Sequence, residues 1–167
     1  MKLAQRIIVL TSIASLFASH ALIANAQTVE VVSKAEREVE VVEKGVKVKK
    51  VAPVEKIVPG DEVLYTSTYT NKTGKPATDL AITNPVPKHT GYKDGSAAGD
   101  GAVITFSVDD GKTYAAPAQL TVTIKDKSGK DIQRPAVAQD YTHIRWVIKQ
   151  SIAPGQSGSV RFLALIL

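Results

Sequence analysis

The stretch Pro59-Gly60-Asp61-Glu62-Val63-Leu64-Tyr65, followed by Tyr69, Asn71 and Gly74 and then by Asn84-Pro85-Val86-Pro87, decides the fold of this chain. Side chains alternate across a strand, so Val63, Tyr65, Ser67 and Tyr69 share one face while Leu64, Thr66, Thr68 and Thr70 share the other. The Pro59-Gly60 step sets a turn in front of this strand, since proline presets its first position and glycine accepts positive φ. Asn71 to Pro76 supplies the turn behind it. A second strand is expected over about Ala77 to Thr83, and it ends at Asn84-Pro85-Val86-Pro87 because two prolines cannot donate ladder hydrogen bonds.

The same rhythm continues to the C-terminus. Gly91 to Gly101 reads as a glycine-rich loop too polar for a core. Strands are expected at Ala102 to Val108, Gln119 to Lys125, Tyr141 to Gln150 and Ser157 to Leu167, with turns at Asp109-Asp110-Gly111-Lys112 and Ser128-Gly129-Lys130. Turn residues at each break argue for an all-β sandwich. No convincing amphipathic helix follows residue 51. Tyr141, His143 and Arg145 would face opposite to Thr142, Ile144 and Trp146, and the lone Trp146 is expected to anchor the core.

Upstream the composition changes. Lys2 and Arg6 precede an apolar run from Ile7 to Ile23, and Ala24-Asn25-Ala26 follows, which is the pattern of a secretory signal peptide with its cleavage site. The mature chain would begin at Gln27. It would be long enough for one domain, and no later segment has the ~18 apolar residues of a spanning helix. There is no cysteine in the chain, so neither disulfides nor thiolate metal sites are available to stabilise it. Removing Lys2 and Arg6 takes the formal charge from +5 to +3. That mild, dispersed charge without interleaved aromatics argues against nucleic acid as a partner.

Residues 27–50 form a leader of Val, Glu, Lys and Arg. Ser33 with Glu36 would open a short helix as a capping box, and Glu36, Arg37, Glu40 and Lys44 have helical charge spacing. The β-branched Val39, Val41, Val42, Val46, Val48 and Val51 favour strands instead. The extended reading is preferred, split at Gly45 into a leader and a first sandwich strand. Its charges read either as a solvated face that keeps an edge strand from aggregating or as a partner-binding arm.

From about Val51 to Ile166 the chain resembles the bacterial conserved-repeat domain known as domain of unknown function 11. The resemblance lies in Pro59-Gly60-Asp61-x-Val63-x-Tyr65, Tyr69-x-Asn71-x-x-Gly74, Ala77-Thr78-Asp79-Leu80-x-Ile82, Pro85-x-Pro87 and Ala153-Pro154-Gly155-Gln156-Ser157-Gly158. It implies an immunoglobulin-like β-sandwich of about seven strands over residues 51–167, of a kind found in secreted and surface proteins. Asn84 stands where that family commonly has an aspartate, and a single copy is present rather than an array, so a long-stalk role does not carry over. The family has no single established activity, and a shared fold supplies none.

Little catalytic chemistry is legible. Ser157 lies among glycines, but Gly155-Gln156-Ser157-Gly158-Ser159 is displaced from the nucleophile-elbow spacing. Asp94, Asp100, Asp109 and Asp110 are candidate metal ligands without the alternating pattern of an EF-hand. Tyr92, Tyr114 and Tyr141 would line a glycan-binding face if they clustered at the surface, although packing is their commoner use. The sequon Asn71-Lys72-Thr73 would take a glycan only in a glycosylating host. The last strand contains no Asn for a Lys–Asn isopeptide crosslink.

The C-terminal run Arg161-Phe162-Leu163-Ala164-Leu165-Ile166-Leu167 is apolar on both faces. Leu163, Leu165 and Leu167 are therefore the expected partner edge, open to strand addition by another envelope protein or by a second copy. The sequence reading is thus an exported, non-enzymatic interaction or structural module, periplasmic or on the cell surface, with no cofactor. The alternative is a calcium- or carbohydrate-binding module.

Overall fold

The computed structural model describes residues 28–54 and 57–167. The segment read as a signal peptide lies outside the described residues. Among the described residues eleven strands follow one another: β1 (Val29–Glu43), β2 (Val46–Pro53), β3 (Glu62–Asn71), β4 (Leu80–Pro85), β5 (Thr90–Tyr92), β6 (Ala98–Gly99), β7 (Ala102–Ser107), β8 (Thr121–Lys125), β9 (Asp131–Pro135), β10 (His143–Ile148) and β11 (Ser157–Ile166). One sheet has the order β2-β1-β3-β11-β5, with β6 also beside β11, and a second has the order β4-β10-β7. Strands β8 and β9 pair as a separate hairpin. The only helical turns among the described residues are two 3-10 turns, at Pro117–Gln119 and Ala138–Asp140.

The two larger sheets form an all-β sandwich, and period-two alternation builds its core. Strand β3 turns Val63, Ser67 and Tyr69 inward, and β11 answers with Val160, Phe162 and Ala164. From the facing sheet, β10 contributes Ile144, Trp146 and Ile148, all fully buried. Each such side chain contributes about 1.5–3 kcal/mol on burial. Tyr65 stacks on Phe162 at 5.1 Å between ring centroids, and Trp146 tilts against Phe162 at 6.2 Å.

The pieces of sequence that suggested the fold meet in space. Gly155 N donates to Asn71 O at 2.7 Å and Asn71 N donates to Gln156 O at 2.9 Å, which fastens the end of β3 to the turn before β11. Gly158 lies opposite Tyr69, and a Cβ there would overlap the Tyr69 phenol. At the other end, Gly60 N donates to Ile166 O and Ile166 N to Asp61 O, each at 2.9 Å.

Two expectations need correction. Gly91 to Gly101 is not simply a polar loop. Strands β5 and β6 cross it, Gly91 and Tyr92 are buried, and the Tyr92 ring contacts Phe106 at 5.2 Å and Tyr141 at 5.8 Å. One aromatic ring, with Ala97 N donating to its hydroxyl at 3.0 Å, anchors a segment whose composition is otherwise polar.

The charged leader is extended, without the helix that Ser33 and Glu36 would have opened, but its two arms trade places. The first half of β1 pairs with β3 from Val29↔Asn71 to Glu36↔Leu64 and so belongs to the sandwich. Strand β2, expected as the first sandwich strand, instead folds back on β1 from Glu43↔Val46 to Glu36↔Pro53. The turn explains this choice, because Lys44 (φ 49) and Gly45 (φ 80) both take the positive φ that a two-residue hairpin turn requires. The composition change at residue 50 therefore falls inside β2.

Candidate functional site

The sequence candidates were the last strand, the acidic loops and the tyrosines. Strand β11 lies in the interior of its sheet, paired with β3 along Ser157–Leu165 and with β5 and β6 on its other side. Leu163 lies opposite Leu64, its N–H bonded to Ser96 Oγ at 3.0 Å and its carbonyl to Lys93 N at 2.9 Å. Leu163, Leu165 and Leu167 thus offer no open strand edge, a correction of the sequence reading. Only its inner face, Val160, Phe162 and Ala164, is buried, and Leu163 on the outer face is half-buried. Leu165 and Leu167 keep some exposure and line a shallow cleft of about 300 Å³ with Tyr92, Lys93 and Asp94.

The four aspartates do not converge. Asp94 lines that cleft, Asp100 a second one with Ser159 and Arg161, and Asp110 a third. Asp109 is a turn cap: its Oδ1 accepts from Ser107 Oγ, Lys112 N and Thr113 N, and its Oδ2 from Thr113 Oγ1 at 2.6 Å. The Thr113 and Ser107 donors hold its carboxyl far below the ordinary carboxylate range. No group of three or more His, Cys, Asp or Glu that could hold a metal is present among the described residues.

The tyrosines also separate. Tyr92 and Tyr141 are core residues, and burial raises the Tyr141 hydroxyl pKa. Tyr114 lies under the Arg145 guanidinium at 3.6 Å. Two of the three rings thus take the packing role that the sequence favoured for them over a glycan-binding face. Asn71 is likewise fully buried, its Nδ2 donating to Lys75 O at 2.9 Å and Ile152 O at 2.8 Å, so the sequon amide is inaccessible in the folded chain.

A third cleft of about 510 Å³ gathers His89, His143, Asp110 and Asp140 near Pro87. The wide sequence separation of these residues hid that convergence. Asp140 is already committed: Arg134 donates to both its oxygens at 2.6 and 2.8 Å and depresses its pKa, with Val137 N donating at 2.8 Å.

The more distinctive surface is the one built by β1 and β2. Beyond Glu36 these strands form a two-stranded ribbon, with no third strand among the described residues. One face carries Val39, Val41, Val46 and Val48, while Val42, Lys47 and Val51 lie on the other. Val31, Val32, Val42, Val46 and Val51 are all exposed, with Val42 at 69 %. Along Val29 to Ala35 the side of β1 away from β3 has no paired strand among the described residues, because β2 ends at Pro53 opposite Glu36. Ser33 at this margin joins the sandwich through its hydroxyl, 2.8 Å from Ser67 Oγ, which also accepts from Asn84 Nδ2 of the opposite sheet at 2.8 Å.

Comparison with protein-family models, curated proteins and solved structures found no match to this chain. Fold and surface together define an all-β sandwich that carries an N-terminal β-ribbon and an open strand edge. No helix among the described residues is long and apolar enough to cross a membrane.

Proposed function

We propose that this chain is an exported, non-enzymatic structural or protein-interaction module of the bacterial cell envelope, its sandwich akin to the immunoglobulin-like conserved-repeat domain. The observation that carries the reading is the ribbon of β1 and β2 with the unpaired margin of β1 beside it. An unpaired strand edge binds through main-chain hydrogen bonds, and the pockets for alternate side chains give specificity. The apolar sequence before Gln27 supports export. The calcium- or carbohydrate-binding alternative gains nothing from the aspartates and tyrosines, which lie apart or in the core.

The test is fractionation of cells followed by crosslinked capture of the tagged chain from the envelope. The reading expects a processed chain in the envelope fraction, and an envelope protein whose capture is lost when residues 38–51 are replaced by an Asn-Gly turn or Val31 by Pro. A cytoplasmic, unprocessed chain would contradict it.

A further inference from the structure

We propose that the open margin of β1 pairs with the same margin of a second copy, joining two sandwiches into one continuous antiparallel sheet. The inference deepens the interaction-module reading and rests on it.

The backbone sets the register. Lys72 N donates to Thr28 O at 3.2 Å, so even-numbered residues of β1 direct their N–H and C=O toward β3. In an antiparallel strand these groups alternate between the two sides. Val29, Val31, Ser33 and Ala35 therefore direct theirs away from β3, where no strand of the described residues lies. A two-fold axis at Val32 places Val31 opposite Ser33 and Val29 opposite Ala35 of the second copy. Every outward group then has a partner.

The same axis places Glu30 opposite Lys34 of the second copy, twice by symmetry. These fall in non-hydrogen-bonded pairs, where facing side chains approach most closely. Glu30 also meets Lys72 Nζ at 3.4 Å, an exposed pair that a second cation can share. The register holds from Val29 to Ala35, and Thr28 of the second copy, which would fall opposite Glu36, must turn out of the sheet to clear Pro53. The unpaired margin spans Val29 to Ala35, and Pro53 closes the next position opposite Glu36.

Other edges are less suited to self-pairing. Strand β2 has Lys47, Lys49 and Lys50 within eight residues and ends in proline, so two copies of it would repel. Strand β4 ends in Pro85, β5 is three residues long, and β7 is bridged on its outer side by Ala115 at Phe106. The margin of β1 contains no proline and one charge of each sign. A contact using the same patch on both copies closes as a dimer and does not propagate.

The experiment uses the chain produced with its own N-terminal segment and purified after any processing. Sedimentation across a concentration series should show a monomer–dimer equilibrium that stops at two copies. Glu30→Lys or Lys34→Glu should each raise the dissociation constant about tenfold, and the double charge reversal should restore it. The chain has no cysteine, so Val32→Cys supplies a single thiol on the axis; mild oxidation should convert it to a covalent dimer. Val42→Cys, more exposed but off the axis, should not follow. Circular dichroism of each variant reports retention of the sandwich. A monomer at every concentration, or equal crosslinking of the two cysteine variants, would overturn self-pairing. A monomer that still captures an envelope protein through β1 would sink self-pairing alone, whereas a dimer left unprocessed in the cytoplasm would sink the envelope reading alone.

Discussion

The ribbon beyond Glu36 and the sandwich around Trp146 are made of the same material, β-branched residues in antiparallel register, yet only the sandwich has a second layer. Ile144, Trp146 and Ile148 are fully buried between sheets, whereas Val42 and Val46 of the ribbon are more than half exposed. Alternation alone does not make a core. A strand pair is marginal in water until another layer or strand covers its apolar face. The sandwich therefore accounts for the stability of the molecule, and the ribbon adds surface.

The strongest way to break this contrast is at the centre of the core. Trp146→Ala should cost about 3–5 kcal/mol in chemical denaturation, as large aromatic truncations do. Trp146→Phe should cost much less, because the buried Nε1 of Trp146 has no hydrogen-bond partner to lose. Next in size is Asn71→Ala, which leaves the buried carbonyl of Ile152 and the N–H of Thr73 without their side-chain partner and should cost about 1–3 kcal/mol. An equal cost from Val42→Ala in the ribbon would erase the contrast.

Acid should act on the loops of the sandwich. The Arg134 hydrogen bonds hold the Asp140 carboxyl below its ordinary value, and Ser128 lowers that of Asp126. A carboxyl whose pKa is depressed by folding contributes stability above its unfolded pKa of about 4, and that contribution disappears as the pH falls through the lower folded value. Urea unfolding at pH 7 and pH 3 should show a loss that shrinks in Asp140→Asn. A variant as acid-sensitive as the parent would assign the loss to other groups.

The smallest expected effect belongs to the ribbon. Replacing residues 38–51 by an Asn-Gly turn, which Arg37 and Ala52 can close as a facing hydrogen-bonded pair, should change the unfolding free energy by less than about 1 kcal/mol. Gly45→Ala should disturb only the hairpin, since Gly45 sits at φ 80 with no atom near its Cβ position.

The sandwich was legible because its turns carry their own chemistry. Pro59-Gly60, Asn71 and Pro154-Gly155 announce breaks locally, and strict alternation in β3 and β10 fixes which side chains go inward. The Gly91–Gly101 segment misled because one Tyr92 outweighs its polar neighbours only when the distant Phe106 and Tyr141 are beside it. The last strand misled for a related reason. A run apolar on both faces is equally consistent with an open edge and with a central strand, and the choice depends on partners far away in sequence. The arms of the leader differ in fate through pairing that composition does not encode. Its extended form was readable from its valines, while the open margin of β1 emerged only once β2 was seen to stop at Glu36.

The central claim, that the sandwich is self-sufficient and the ribbon is an appendage, is tested most directly by residue-resolved native-state hydrogen exchange in dilute solution. Amides of β3, β10 and β11 should exchange only through global unfolding, and those of the ribbon through local opening at far lower free energy. Ribbon amides as protected as those flanking Trp146, and responding equally to denaturant, would contradict the account.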